Sequence, residues 1–173
     1  MHDDAAPALS NPLDESLVLR AHAIASAVVD PEIPAVTIAD LGILRGVALE
    51  GGRILVRLTP TYTGCPAVLA IEIAVETALR QAGFDEVRIE RALSPPWSTD
   101  DITEAGREKL RRYGIAPPAT KAGKRALFGE EVVACPRCAS THTTKISEFG
   151  STACKAQWRC EACREPFDYF KCL

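Results

Sequence analysis

Apolar residues recur along the chain at two different periods. Leu13, Leu17, Ala21, Ile24 and Val28 fall three or four apart, the spacing of one helix face, and Asn11-Pro12 before them supplies a cap and a first turn. This predicts a helix to about Val29, stopped by Pro31 and Pro34, which cannot continue it. Asp30-Pro-Glu-Ile-Pro34 reads as a rigid turn bearing two carboxylates, and 37–44 as a turn of helix or a bend. Alternation then takes over. Val47 and Leu49 share one strand face, and Ile54, Val56 and Leu58 another, in segments 45–49 and 53–58 joined as a hairpin around Gly51-Gly52. After a loop from Thr59 to Cys65, Pro66 opens a helix to about Ala82, with Val68, Ile71, Val75 and Leu79 as its buried stripe and Gly83 as its stop. Residues 84–92 read as a third strand, and the helix before it is long enough to carry a parallel crossover. Pro95-Pro96-Trp97 breaks the chain, with Trp97 expected to pack against the strand ends. Ser98 or Thr99 then caps a last helix through Arg111.

The fold class expected from this order is α/β: a small α/β sandwich over 13–113, after a flexible tail at 1–12. Residues 114–130, with Pro117, Pro118, Gly123 and little apolar periodicity, read as a linker. Residues 131–173 hold too few apolar side chains for a core of their own. They read as a zinc-ribbon-like module that needs a metal to fold. In 173 residues there is no run of 18 apolar positions, which excludes a membrane-spanning helix on sequence. The start, Met1-His2-Asp3-Asp4, has neither the basic nor the apolar region of a secretory signal, so a cytoplasmic location is expected.

Charge and cysteine are distributed unevenly. Residues 1–120 carry 11 basic and 17 acidic groups, a net of -6, whereas 121–173 carry 9 and 6, a net of +3. So small a basic excess beside an acidic domain argues against nucleic acid as a partner. Six of the seven cysteines lie in the last 39 residues. An odd count and two Cys-x-x-Cys spacings favour reduced thiols and metal over a disulfide framework.

Cys135-Pro-Arg-Cys138 and Cys160-Glu-Ala-Cys163, with 21 residues between them, can surround one ion with four thiolates. Zn2+ is the expected ion, although four sulfurs would hold iron as well. The segments 143–149 and 155–159 would be the ribbon's strands. Cys154 and Cys172 are left over. They would pair with each other, contribute to a second site or replace a ligand in the first, unless Cys172 simply packs beside Phe167, Tyr169 and Phe170. His142, four residues after Cys138, is either an alternative ligand or a surface histidine. The apolar stretch Phe167-Asp-Tyr-Phe170 would offer an anchor to a partner.

Cys65 stands apart. Between Gly64 and Pro66 it occupies the cap or the adjacent position of the helix that Pro66 opens. Free amides and the positive helix end there would favour its thiolate, as nucleophile or as ligand for a soft metal. The plain alternative is a buried thiol. Asp30, Glu32 and Asp40 are the nearest carboxylates in sequence. No catalytic pair competes with this reading, since only His2, His22 and His142 are available and no glycine pattern matches a phosphate loop. The chain is not expected to be a catalyst alone.

Asp30-Pro-Glu-Ile-Pro, Asp40-Leu-Gly-Ile, Leu58-Thr-Pro-Thr-Tyr-Thr-Gly-Cys65-Pro and Pro95-Pro-Trp97 resemble the metal–sulfur cluster assembly domain of SufT-type and cytosolic iron–sulfur targeting proteins. The tail is similar to that of the PaaD family. It comprises Phe149-Gly-Ser-Thr-Ala-Cys-Lys155, Cys160-x-x-Cys163 and Glu165-Pro-Phe-Asp-Tyr-Phe-Lys-Cys172. The resemblance implies an accessory factor that promotes maturation of an iron or iron–sulfur centre in the bacterial ring-1,2-phenylacetyl-CoA epoxidase of aerobic phenylacetate degradation. A stoichiometric redox or structural subunit of that multicomponent monooxygenase is the alternative. Implied partners are the oxygenase subunits and the iron–sulfur flavin reductase, with Fe–S carrier proteins besides, and a transient Fe or Fe–S cluster as cargo. Cys65 matches the domain's signature cysteine, Asp30, Glu32 and Asp40 its acidic positions, and Cys154, Cys160, Cys163 and Cys172 the tail pattern.

Overall fold

A computed structural model describes residues 11–62, 64, 66–118 and 132–171. The first ten residues, most of the expected linker, Cys65 and Cys172 lie outside the described residues. Helix α1 spans Pro12–Ser26, and Asn11 caps it by accepting from the Leu13 amide at 3.1 Å. It ends three residues short of Val29 because Val29 forms a bridge with Thr37, closing the proline turn onto itself. Strands β1 (Leu44–Glu50), β2 (Arg53–Leu58) and β3 (Val87–Arg91) form a sheet in the order β1-β2-β3. β1 pairs antiparallel and β3 parallel to β2, with helix α2 (Ala67–Gln81) as the crossover and its expected stripe buried.

The single helix expected from Ser98 is two elements. Ser98 caps a 3-10 turn, Thr99–Asp101, and Thr103 caps helix α3, Glu104–Tyr113. Between them Ile102 is extended and 4% exposed, so a core side chain occupies the position where a continuous helix would have run. Trp97 is buried and its Nε1 donates to the Leu41 carbonyl at 2.7 Å. Two glycines allow close approach here. A Cβ on Gly42, at φ 68°, would lie 2.4 Å from the Asp101 carbonyl oxygen, and one on Gly106 would lie 2.6 Å from that of Asp40.

Gly114, left-handed at φ 90°, ends α3 and turns the chain directly into a second sheet. Ile115–Ala116, placed in the linker on sequence, form β4, because both side chains are buried and both residues pair with β7. With β5 (Thr143–Ser147), β6 (Lys155–Cys160) and β7 (Pro166–Phe170) the order is β4-β7-β6-β5, β4 parallel to β7 and the other pairs antiparallel. The interior position of β7 overturns the anchor expected at Phe167-Asp-Tyr-Phe170. Phe167, Tyr169 and Phe170 are buried. Phe170 meets Trp97 edge to face at 6.1 Å, and Phe170, Cys154 and Ile115 belong to the same apolar core as the first sheet.

Candidate metal centre and the neighbouring thiol–carboxylate cluster

Two turns of like construction present the four clustered cysteines. Cys135 N donates to Ser140 O at 2.9 Å and Cys160 N to Glu165 O at 3.0 Å, so each loop is closed across five residues. The residue after the second cysteine of each pair, Ala139 at φ 60° and Arg164 at φ 62°, is left-handed, which reverses the chain behind the sulfurs. Both pairs sit on the rigid end of the second sheet, over a small core that includes Val133, Trp158, Phe167 and Tyr169.

The result is a group of four sulfurs, Cys135, Cys138, Cys160 and Cys163, all within 4.8 Å of one another. Cys135 and Cys163 are 3.8 Å apart, Cys138 and Cys160 3.5 Å. Thiolates at the usual zinc distance on tetrahedral corners stand about 3.8 Å apart, so this donor set fits one tetrahedral ion. The Cys163 amide donates to the Cys160 sulfur at 3.5 Å and, more than any other contact, draws that thiol down to about 6. His142 and Cys154 are not part of the group. His142 is exposed, and its carbonyl accepts from the Glu161 amide.

The expected acidic residues divide. Asp40 is a staple: its Oδ2 accepts from Lys109 Nζ at 2.6 Å and from Thr37 N at 2.9 Å, and its carbonyl accepts from Thr103 N. Burial alone would raise it, but Lys109 and Thr37 outweigh burial and hold the carboxyl below its ordinary range. Asp30 and Glu32 instead line a cavity of about 20 Å3 between the proline turn, the 60–61 loop, α2 and the second sheet. Asp30 is buried, and its Oδ1 accepts from the amides of Glu32 and Ile33 at 2.9 and 2.8 Å. Burial pushes its carboxyl up despite those bonds.

Cys154, one of the two cysteines left over on sequence, completes this wall. Its sulfur lies 3.4 Å from Glu32 Oε2 and 3.1 Å from Thr152 Oγ1. Burial pushes the thiol up to about 11; the Glu32 charge adds to this, and the Thr152 hydroxyl opposes it. The buried Lys155 places a positive charge that acts on both Asp30 and Cys154. Sequence marked Glu32 and Cys154 separately, but no spacing could join residues 122 positions apart.

Residues 23–90 match the model of the iron-sulfur cluster assembly protein family, and residues 119–171 match that of the PaaD zinc beta ribbon domain. The class is therefore an assembly-type α/β domain joined to a beta ribbon. Over 151 residues the chain is 52% identical to a putative 1,2-phenylacetyl-CoA epoxidase subunit from Escherichia coli (strain K12), spanning 87% of this chain and 90% of that one. The chain belongs to the PaaD family. A crystal structure of the DUF59 domain of unknown function from Bacillus anthracis is similar over 57% of this chain and 94% of its own, with a TM-score of 0.52 and 26% identity. A Mycobacterium tuberculosis protein described as associated with [Fe-S] complex assembly and repair is 34% identical over 65% of this chain and 98% of its own, with a TM-score of 0.34. Among the described residues no helix is long and apolar enough to cross a membrane.

Proposed function

We propose that this chain promotes maturation of an iron or iron–sulfur centre in a phenylacetyl-CoA epoxidase, acting on protein partners. The observation that carries the reading is the union of an iron–sulfur assembly domain and a PaaD ribbon in one chain, built round a shared core. The clients are the oxygenase subunits and the iron–sulfur flavin reductase, with Fe–S carrier proteins as donors.

The four-cysteine centre holds Zn2+ through Cys135, Cys138, Cys160 and Cys163 and has a structural role. A multi-iron cluster sets irons and sulfides between its thiolates and needs them farther apart than one ion does. Sulfurs all within 4.8 Å of one another favour the single ion. When bound, zinc supplies folding energy to the ribbon and no redox chemistry. Cys65, which lies outside the described residues, is the proposed transfer thiol. It stands two positions before Ala67, whose side chain lines the 20 Å3 cavity.

The test is to express the epoxidase with this chain, without it and with Cys65→Ala, and to measure activity and iron content of each purified complex. Maturation requires iron-poor, weakly active enzyme in the last two preparations. Full iron occupancy without this chain would overturn the proposal, and an unchanged result for Cys65→Ala would remove that thiol from it.

A further inference from the structure

Among the described residues the two sheets end on four edge strands, β1 and β3 in the first and β4 and β5 in the second. An open edge is a template for another strand, and proteins commonly blunt it with a bulge or by keeping it very short. β1 has a register shift between Leu44 and Gly46, β5 has one between Lys145 and Ser147, and β4 is two residues long. β3 has neither device: its pairing with β2 runs without a shift from Val87 to Arg91. The Glu86 carbonyl accepts from the Ile54 amide, and the Ala92 amide donates to the Leu58 carbonyl. In a parallel ladder of this register Arg88 and Glu90 bond to β2, which leaves the amides and carbonyls of Val87, Ile89 and Arg91 pointing outward. We propose that this edge binds a second copy of the chain, β3 antiparallel to β3, about a twofold axis at Ile89.

Charge selects both the partner and the register. Centred on Ile89, the pairing sets Arg88 opposite Glu90 of the second copy, and symmetry repeats the contact. The two form a non-hydrogen-bonded pair, with Cα atoms about 4.5 Å apart and side chains close. Sliding the strands by two residues either way sets Arg88 against Arg88 or Glu90 against Glu90, which is unfavourable. The sequence Arg88-Ile-Glu90 is therefore complementary to itself in one antiparallel register. Both side chains are exposed. Of the cations on this face, Arg53 pairs with Glu86, and Arg57 with Glu50 and, at 3.7 Å, with Glu90. Arg88 has no ion pair among the described residues, and the second copy supplies its carboxylate. Apolar area lies beside the same edge. Glu72 of α2 pairs with Arg91 of β3, and next to Glu72 on the helix Leu69 and Ile73 are 60% and 56% exposed. The twofold axis brings this flank of α2 towards its counterpart, adding apolar burial to the backbone pairing.

The experiment is sedimentation equilibrium of the full chain over a range of concentrations. Wild type should show a reversible monomer–dimer equilibrium. Arg88→Glu sets like charges opposite each other at both symmetric contacts and should raise the dissociation constant at least about tenfold, and Glu90→Arg should do the same. An equimolar mixture of the two variants should dimerise again, because in the mixed pair each residue 88 faces its opposite charge at 90. Arg88 is exposed and has no ion pair to lose, so its variant keeps the fold of the monomer and decides the matter alone should Glu90→Arg misfold. A wild-type chain that stays monomeric at the highest concentrations reached would overturn the proposal and leave the edge charges as guards against pairing. So would a dimer indifferent to Arg88→Glu, or two folded variants whose mixture stays monomeric.

Discussion

Cys154 Sγ lies 3.4 Å from Glu32 Oε2, which joins the entry to β6 to the proline turn of the first domain. The far end of the same six-residue strand is Cys160, one of the four clustered sulfurs. Metal at the ribbon and burial of Cys154 are therefore coupled through a single strand. Removing the ribbon metal should free β6 and expose the thiol, which is 6% exposed in the intact fold. Alkylation of Cys154, followed by peptide mass spectrometry, should be slow in metal-loaded protein and at least about tenfold faster after chelation. Equal rates would show that β6 stands without the metal.

The turns behind the sulfurs carry a conformational cost. Left-handed backbone at a non-glycine residue is unfavourable by about 1–2 kcal/mol, and Ala139 and Arg164 both adopt it. Ala139→Gly should hold zinc at least as well as wild type in competition with a chelator. Ala139→Val, which adds β-branching at positive φ, should lose metal at lower chelator concentration.

Gly42 is held to glycine by its surroundings. Any side chain there meets both positive φ and the Asp101 carbonyl at 2.4 Å. Asp101 is in turn clamped by Arg45, whose two terminal nitrogens reach its two oxygens at 3.0 and 2.9 Å, so it cannot readily move away. Gly42→Ala should destabilise the fold by about 2–4 kcal/mol, read as a lower urea midpoint.

Asp30 and Asp40 should show opposite pH signatures. Asp40 is held below its ordinary range, so its contribution is present above the unfolded value and is lost as pH falls through the folded one. Asp40→Asn should therefore cost about 2 kcal/mol near neutrality and progressively less in acid. Asp30 is raised by burial, so its protonated form is favoured and its contribution is lost as pH rises through the folded value. Asparagine still accepts from the Glu32 and Ile33 amides. Asp30→Asn should thus gain on wild type as pH rises above the ordinary carboxylate range, in urea titrations of metal-free protein.

Elements whose signal is local were legible in the sequence. The β1–β2 hairpin followed from alternation around Gly51-Gly52, α2 from its four-residue stripe, and the four-sulfur group from two Cys-x-x-Cys spacings. What escaped depends on distant partners. Two residues, Ile115–Ala116, carry no periodicity of their own and become a strand only because β7 is there to pair with them. Phe167, Tyr169 and Phe170 read as a sticky surface because the residues that bury them, Val133 and Trp158 on one face and Trp97 on the other, come from other segments of the chain. Ser98 and Thr103 are both good caps, and only burial of Ile102 between them divides the expected helix. The Cys154–Glu32 contact has no local trace at all.

The measurement closest to the central claim is the turnover of epoxidase matured in cells lacking this chain. That enzyme is purified and reconstituted anaerobically with iron and sulfide, and then assayed with none of this chain present. An assembly factor predicts that iron content and activity recover together. Activity that stays absent at full iron occupancy, and returns only when this chain is added in stoichiometric amount, would contradict the account and make the protein a standing subunit of the complex.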